Sequence, residues 1–266
     1  RRNIIQTTRP SMLTDSLIDF GGVLLSIALL YFSLLSYARW RRPHWHTRLQ
    51  ERRAVTLLLL SLSVIAIQVS QEVLGGETSE LDIAILEFLH QHASATTVTF
   101  FQWVTLAGSS HFLTPLGAVL TAVLLVARHR REALLLATSM ISSGLLIYLI
   151  KMAVARERPA LWDTAWYWGY SFPSGHTMGT AACATALALC ATSFWPAARL
   201  PAIILAGLWI ALVALSRLVL GVHWPTDVLV AACLGTVVPI LLQLTFNAIR
   251  PAERRIPGVN EQSQEN

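Results

Sequence analysis

The chain has 266 residues, of which 54% are hydrophobic and only 13% charged, with a mean hydropathy of +0.55. Soluble domains carry about 25% charge, so disorder, a coiled coil and a secreted disulfide scaffold are excluded; an all-α polytopic membrane protein remains, long enough for about six or seven spans of about 20 residues. The net charge of +5 and pI of about 9.6 reads as membrane topology rather than nucleic-acid binding, because Lys and Arg fall between apolar runs and not along one polar face.

The chain opens on Arg1-Arg2 rather than Met, which reads as a processed or longer product. No signal peptide is expected, since the first apolar run has no small-residue cleavage site and continues to spanning length. That run, 17–38, is the first predicted span, and a basic loop over 39–53 follows it. The second span is predicted at 54–74. The stretch 80–106 carries Asp82, Glu87, His90 and His92 with near-helical alternation, and reads as an interfacial amphipathic helix ending in a turn at Gly108. The third span, the shortest, is placed at 111–127 and the fourth at 133–151. The last three are placed at 176–194, 201–220 and 228–247. Cys183, Cys190 and Cys233 lie inside apolar runs and read as small hydrophobes. The domain reading is an N-terminal segment 1–53 with an extra span, a core 54–247 and a polar, disordered tail 248–266.

Charge sets the orientation. The loop 39–53 holds six Arg, 128–131 holds three, Arg199 follows the fifth span, and Arg250, Arg254 and Arg255 stand in the tail. With seven spans these 13 of the 20 basic residues share one side, which the positive-inside rule makes cytoplasmic. Lys151, Arg156, Arg158 and Arg217 fall on the disfavoured outer side and need a reason to be there.

They cluster with two histidines. Lys151 and Arg158 end the fourth span and precede Pro159; Pro173-Ser174-Gly175-His176 opens the fifth; Ser216-Arg217, His223, Pro225 and Asp227 lie between the sixth and seventh. Lys151 and Arg158 are two helical turns apart, so on a continuing helix, ended by Pro159, both point the same way. Ser174 and Gly175 fall at a helix N-terminus, where free N–H groups favour an anion and glycine permits close approach. Pro225 suits a first helical turn. Asp227, four residues after His223, can accept its ring N–H, fix the tautomer and free the other nitrogen for attack.

These residues resemble the type-2 phosphatidic acid phosphatase superfamily, whose pattern is Lys-x6-Arg-Pro, then Pro-Ser-Gly-His, then Ser-Arg-x5-His-x3-Asp. Lys151, Arg158, Pro159, Pro173, Ser174, Gly175, His176, Ser216, Arg217, His223 and Asp227 fill every specified position. The resemblance covers residues 54–247 and implies a six-helix core, with 17–38 as an addition. It implies His223 as a nucleophile held by Asp227, passing through a phosphohistidine, and His176 as the acid for the leaving oxygen. Lys151, Arg158, Arg217, Ser174 and the Gly175 amide are implied to hold the phosphoryl oxygens. No cofactor or metal is expected, because three fixed cations can balance the charge that Mg²⁺ handles elsewhere.

The implied function is an integral membrane phosphatase acting on a lipid phosphate or diphosphate. Undecaprenyl diphosphate is the first choice, with phosphatidylglycerophosphate, phosphatidic acid and lipid A phosphates beside it. The expected setting is a bacterial inner membrane, with the site facing outward and the partners being the lipid substrate and the bilayer. Two alternatives share the motifs: a lipid-to-lipid phosphotransferase, and a catalytically silent lipid-binding or transport protein. The pairs His44/His46 and His90/His92 lack Cys or carboxylate partners at ligand spacing and are read as surface residues. Asp19, Gln68 and Glu72 are given no role. Trp162, Trp166, Tyr167, Trp168, Tyr170 and Phe172 read as an outer aromatic belt, with Trp166 and Trp168 also as the rim of a lateral opening for a lipid tail.

Overall fold

The computed structural model describes residues 10–76, 80–162 and 169–248, with side chains described from residue 21 onward apart from residue 44. Arg1, Arg2, Arg9, the side chain of Asp19, the belt residues Trp166, Tyr167 and Trp168, and the tail with Arg250, Arg254 and Arg255 lie outside the described residues. Among those described, every regular element is helical: α1 (Pro10–Arg41), α2 (Pro43–Glu51), α3 (Arg53–Leu74), α4 (Glu80–His92), α5 (Ala95–Leu106), α6 (Ser110–Val126), α7 (Arg130–Val154), α8 (Gly175–Phe194), α9 (Arg199–Val219) and α10 (Pro225–Ala248). A short 3-10 turn, Pro196–Ala198, joins α8 to α9. Seven segments of the described residues are long and apolar enough to cross a membrane. The basic loop after α1 contains one helix of its own, α2, entered through Pro43.

The segment 80–106 is not a single interfacial helix. Ser94 adopts an extended conformation and its side chain accepts the N–H of Thr97 at 3.1 Å, which ends α4 and caps α5. Helix α6 has 17 residues, about 25 Å at 1.5 Å per residue, which falls short of a hydrocarbon core of about 30 Å. The third span therefore includes α5 and runs Ala95–Val126, bent at the turn expected near Gly108. A Cβ on Gly108 would stand 2.4 Å from Val213 Cγ1, so α9 approaches that turn too closely for any side chain. The polar residues of 80–106 suggested water contact on a sequence reading; Asp82 and Thr105 are instead buried.

Helix α8 is the hub, packed against α7, α9 and α10. Its sequence is rich in Gly, Ala and Thr and ten of its 20 residues are buried. Helices in lipid gain little from hydrophobic burial against one another, so small side chains that let backbones approach provide the packing. Gly235 of α10 shows how close: a Cβ there would lie 2.5 Å from the carbonyl oxygen of Met178 and 2.7 Å from Ala181 Cβ. Ala66 and Val73 of α3, Val230 and Cys233 of α10, and Phe172 before α8 form one buried apolar cluster, which fixes the loop leading into α8. Helix α1 packs chiefly on α2 and α3 and leaves Leu24, Leu25, Leu29 and Phe32 exposed, as a lipid-facing helix does.

Candidate active site

The up-and-down order of the spans brings the C-terminal ends of α7 and α9 and the N-terminal ends of α8 and α10 to one end of the bundle. Arg52, Arg128 to Arg131 and Arg199 lie at the opposite end. Every residue picked out by the three motifs belongs to the first group.

Helix α7 carries Lys151 in its last turn but stops at Val154, where Ala155 enters the left-handed region (φ 50°) and returns its N–H to Lys151 O. Arg158 therefore does not sit two helical turns beyond Lys151 on one helix, and Pro159 does not end that helix. The chain leaves early because residues 156–158 run beside 169–171. Ser171 donates its N–H to Arg156 O at 2.8 Å and its hydroxyl to Glu157 O at 2.9 Å. Both cations still reach the same place. Lys151 Nζ donates to Tyr170 O, and Arg158 donates to Gly169 O at 3.0 Å and Val222 O at 2.7 Å. Tertiary pairing, not helical period, sets their convergence.

Ser174 caps α8 from an extended conformation without a side-chain bond to the helix backbone, and Met178 N–H makes the first intrahelical bond. The N–H groups of Gly175, His176 and Thr177 are thus the free donors of a first helical turn. Ser174 Oγ accepts from Thr177 Oγ1 at 3.1 Å, which leaves its own O–H as a donor. A Cβ on Gly175 would meet only Ile147, at an ordinary 3.7 Å. Packing within the protein does not demand glycine here.

Gly221, at φ +66°, turns the chain from α9 to α10, and the Trp162 ring fills the space where its side chain would be. Pro225 opens α10. Across this turn His223 Nδ1 lies 3.3 Å from Asp227 Oδ2, which also accepts the Trp224 N–H at 2.9 Å. The other ring nitrogen of His223, Nε2, faces Arg158 NH1 at 3.3 Å. Ser174 N–H donates to Asp227 O at 3.2 Å, joining the start of α8 to the start of α10. His176 is half-buried on the first turn of α8, within electrostatic reach of Arg217, His223, Arg158 and Lys151. Arg217 is buried and donates to Thr105 Oγ1 at 2.5 Å. His223 is held well below the usual histidine range, first by burial and then by the charges of Arg217, Arg158 and Lys151. It is a neutral imidazole at pH 7, with three cations around it.

Two residues escaped the sequence reading. Arg156, counted among the misplaced cations but given no role, donates to Asp227 Oδ1 at 2.6 Å and to Asp82 Oδ2 at 3.0 Å. Asp82 of α4 is itself buried and accepts the Thr226 N–H at 3.0 Å and its hydroxyl at 2.6 Å. A signal was available: an outer-side arginine with no function needs a counter-charge, and Asp82 stands on the same predicted side. Trp162 stacks on His90 with ring centroids 4.0 Å apart, which gives that histidine a local structural partner. A cavity of about 420 Å³ opens beside Arg158, bordered by Val73, Gly76, Arg156, Leu161 and Trp224. Another of about 510 Å³, with Arg52, Arg199 and Gln243 on its wall, lies at the opposite end, away from this chemistry.

Helices, spans and the gathering of cations around a buried His–Asp pair describe an integral membrane protein built to receive a phosphate group. Residues 132–250 match the PAP2 superfamily. Phosphatidylglycerophosphatase B of Bacillus subtilis is 32% identical over 143 residues, which cover 53% of this chain and 70% of that protein. The undecaprenyl-diphosphatase of Sulfolobus acidocaldarius is 26% identical over 193 residues, 70% of this chain and 87% of that one. Among solved structures, a transmembrane PAP2-type phosphatidylglycerolphosphate phosphatase from Bacillus subtilis aligns with a TM-score of 0.66 at 26% identity, covering 72% of this chain and 97% of that chain. The chain belongs to the PAP2 superfamily.

Proposed function

We propose that this protein is a membrane lipid phosphatase that hydrolyses a phosphate or diphosphate group carried by a membrane lipid, through a phosphohistidine on His223. The observation that carries the reading is the orientation of the His223 ring: one nitrogen on Asp227, the other toward Arg158. With Nδ1–H donated to Asp227, Nε2 keeps its lone pair. A phosphate gripped by Arg158, Lys151 and Arg217 is then delivered to that nitrogen, in line for attack. The Gly175 amide and Ser174 hydroxyl stabilise the charge on the equatorial oxygens. As the N–P bond forms, the bond from phosphorus to the leaving oxygen breaks, and His176 supplies that oxygen's proton. In the second step His176 takes a proton from water, whose oxygen attacks phosphorus. The N–P bond breaks, inorganic phosphate leaves, and Nε2 regains its lone pair.

The names of the relatives, a phosphatidylglycerophosphatase and an undecaprenyl-diphosphatase, support glycerophospholipid phosphates and polyprenyl diphosphates as candidate substrates. Positive loops at the far end of the bundle support an outward-facing site in a bacterial inner membrane. The division into an added N-terminal segment 1–53, a core 54–247 and a tail 248–266 belongs to the same reading, and the chiefly local packing of α1 supports it.

The decisive experiment is phosphate release by the purified chain in detergent against a panel: phosphatidylglycerophosphate, phosphatidic acid, undecaprenyl diphosphate and a lipid A phosphate. Turnover of at least one, lost in His223→Ala, is expected. Wild-type rates in that variant, or silence across the panel, would remove the reading. Recovery of label in a second lipid rather than in free phosphate would assign the phosphotransferase alternative.

A further inference from the structure

Asp227 presents two oxygens, and the structure gives them different partners. Oδ2 takes His223 Nδ1 and the Trp224 N–H, while Oδ1 takes Arg156. Arg156 in turn spans three acceptors: Asp227 Oδ1 at 2.6 Å, Thr226 Oγ1 at 2.7 Å and Asp82 Oδ2 at 3.0 Å. Asp82 closes the circuit by accepting both the N–H and the hydroxyl of Thr226, the second residue of α10. A carboxylate from α4 thereby serves as the N-terminal cap of α10, meeting one of its free donors and the positive end of its dipole. The side chains of Arg156, Asp82 and Asp227 are 11%, 2% and 0% exposed.

The rigid planar fork of a guanidinium fixes a carboxylate in rotation as well as position. Asp227 cannot turn its Oδ2 away from His223 without giving up a 2.6 Å charge-assisted bond. Arg156 would drift if it answered to Asp227 alone, because three further cations, Lys151, Arg158 and Arg217, share the neighbourhood. Asp82 gives it a second anchor on a different helix.

We infer that Asp82 and Arg156 are positioning residues for the phosphoryl transfer: Arg156, tethered by Asp82, holds Asp227 in the rotation that aims His223 at phosphorus. Neither occupies a specified position of the three motifs. This rests on the phosphatase reading and acts through Asp227 rather than through substrate. Partners one step removed from a reacting group typically contribute 10- to 100-fold, and effects of residues acting as one unit do not multiply.

The test is steady-state turnover of a short-chain phosphatidic acid by the full chain in detergent. Arg156→Ala is expected to lower kcat about a hundredfold and Asp82→Asn about tenfold, with KM within about twofold of wild type. Arg156→Lys, which keeps the charge but not the fork, is expected to recover part of the loss, and Asp82→Glu likewise. In an Asp227→Asn background, Arg156→Ala is expected to lower kcat by less than about twofold. Unchanged kcat in Arg156→Ala and Asp82→Asn overturns the inference. So does a loss carried by KM, which would mean that Arg156, already on the border of the cavity beside Arg158, binds substrate directly rather than positioning Asp227, or a full multiplicative loss in the Asp227→Asn background. Should the alanine variant not fold, Arg156→Lys and Asp82→Glu at wild-type kcat would overturn it equally. All of these outcomes presuppose an active wild type and a dead His223→Ala; failure of that pair counts against the phosphatase reading instead.

Discussion

Asp227 Oδ2 lies 3.3 Å from His223 Nδ1 across one turn of chain, and the two side chains are 0% and 2% exposed. The short i to i+4 spacing makes the pair a local feature, set as soon as Pro225 starts α10. Its effect depends on the tautomer it enforces. Asp227→Asn preserves the shape but presents an amide that can donate to the ring. The expected result is a kcat lower by about 10² to 10⁴, with KM little changed. Phosphate release at saturating lipid measures it, and a change confined to KM would contradict the assignment.

Two glycines separate ligand-side from protein-side constraint. Gly175→Ala adds a methyl that meets only Ile147 at 3.7 Å, so its melting temperature in detergent is expected to match wild type. Its kcat/KM is expected to fall at least about tenfold, because on the proposed mechanism the added group stands where a phosphoryl oxygen approaches the helix end. Gly235→Ala is the converse: its methyl would lie 2.5 Å from the Met178 carbonyl oxygen. Overpacking of this kind costs about 1–3 kcal/mol. Lower yield and melting temperature are expected, with no specific defect in the surviving folded fraction.

The neutral state of His223 fixes the acid side of the pH profile. Burial and three neighbouring cations hold the ring well below its ordinary value of 6.5. On the proposed mechanism this ring is the nucleophile, and it stays unprotonated as pH drops through 6.5. The fall in kcat/KM attributable to it is expected below that point, since kcat/KM reports the free enzyme. Stability follows the same sign. The unfolded chain takes up this proton near 6.5 while the folded one does not, so the His223 contribution is lost as pH falls below 6.5. Removing positive charge with Arg217→Gln is expected to move the acid limb upward. An unmoved limb would show that Arg217 exerts no effect on the ring.

Charge in the cup also predicts its inhibitors. On the proposed mechanism Lys151, Arg158 and Arg217 balance the phosphate charge without a divalent ion, so turnover is expected to survive a strong chelator. Complete loss restored by Mg²⁺ would contradict the site as described. Vanadate, whose five-coordinate form matches in-line transfer, is expected to compete with substrate. Purely noncompetitive inhibition would place it elsewhere.

Hydropathy located seven spans because about 20 apolar residues in a row leave few other options; five agree with their helices to within three residues, and the first, 17–38, lies inside the longer α1. It mislaid the third. Asp82, Glu87, His90 and His92 signalled an interface for the whole of 80–106, but its second half, α5, belongs to the third span, and Thr105 there is buried and bonded to Arg217. The His223–Asp227 pairing was legible because only four residues of chain separate the two side chains. The convergence of Lys151 and Arg158 was inferred from helical period, which fails at Ala155. They meet through backbone carbonyls of residues 169, 170 and 222, and no spacing rule records those contacts. The Asp82–Arg156 bridge joins residues 74 apart in the chain. One-dimensional pattern carries no trace of such a contact beyond an arginine lacking a purpose.

The glycine contact between α8 and α10 has a mechanical consequence. On the proposed mechanism the helix whose start receives the anion and the helix that bears the carboxylate behind the nucleophile leave no room between them for even a methyl group, so together they form one unbending wall of the site. A bulky lipid is therefore expected to reach the site by some other route than between them.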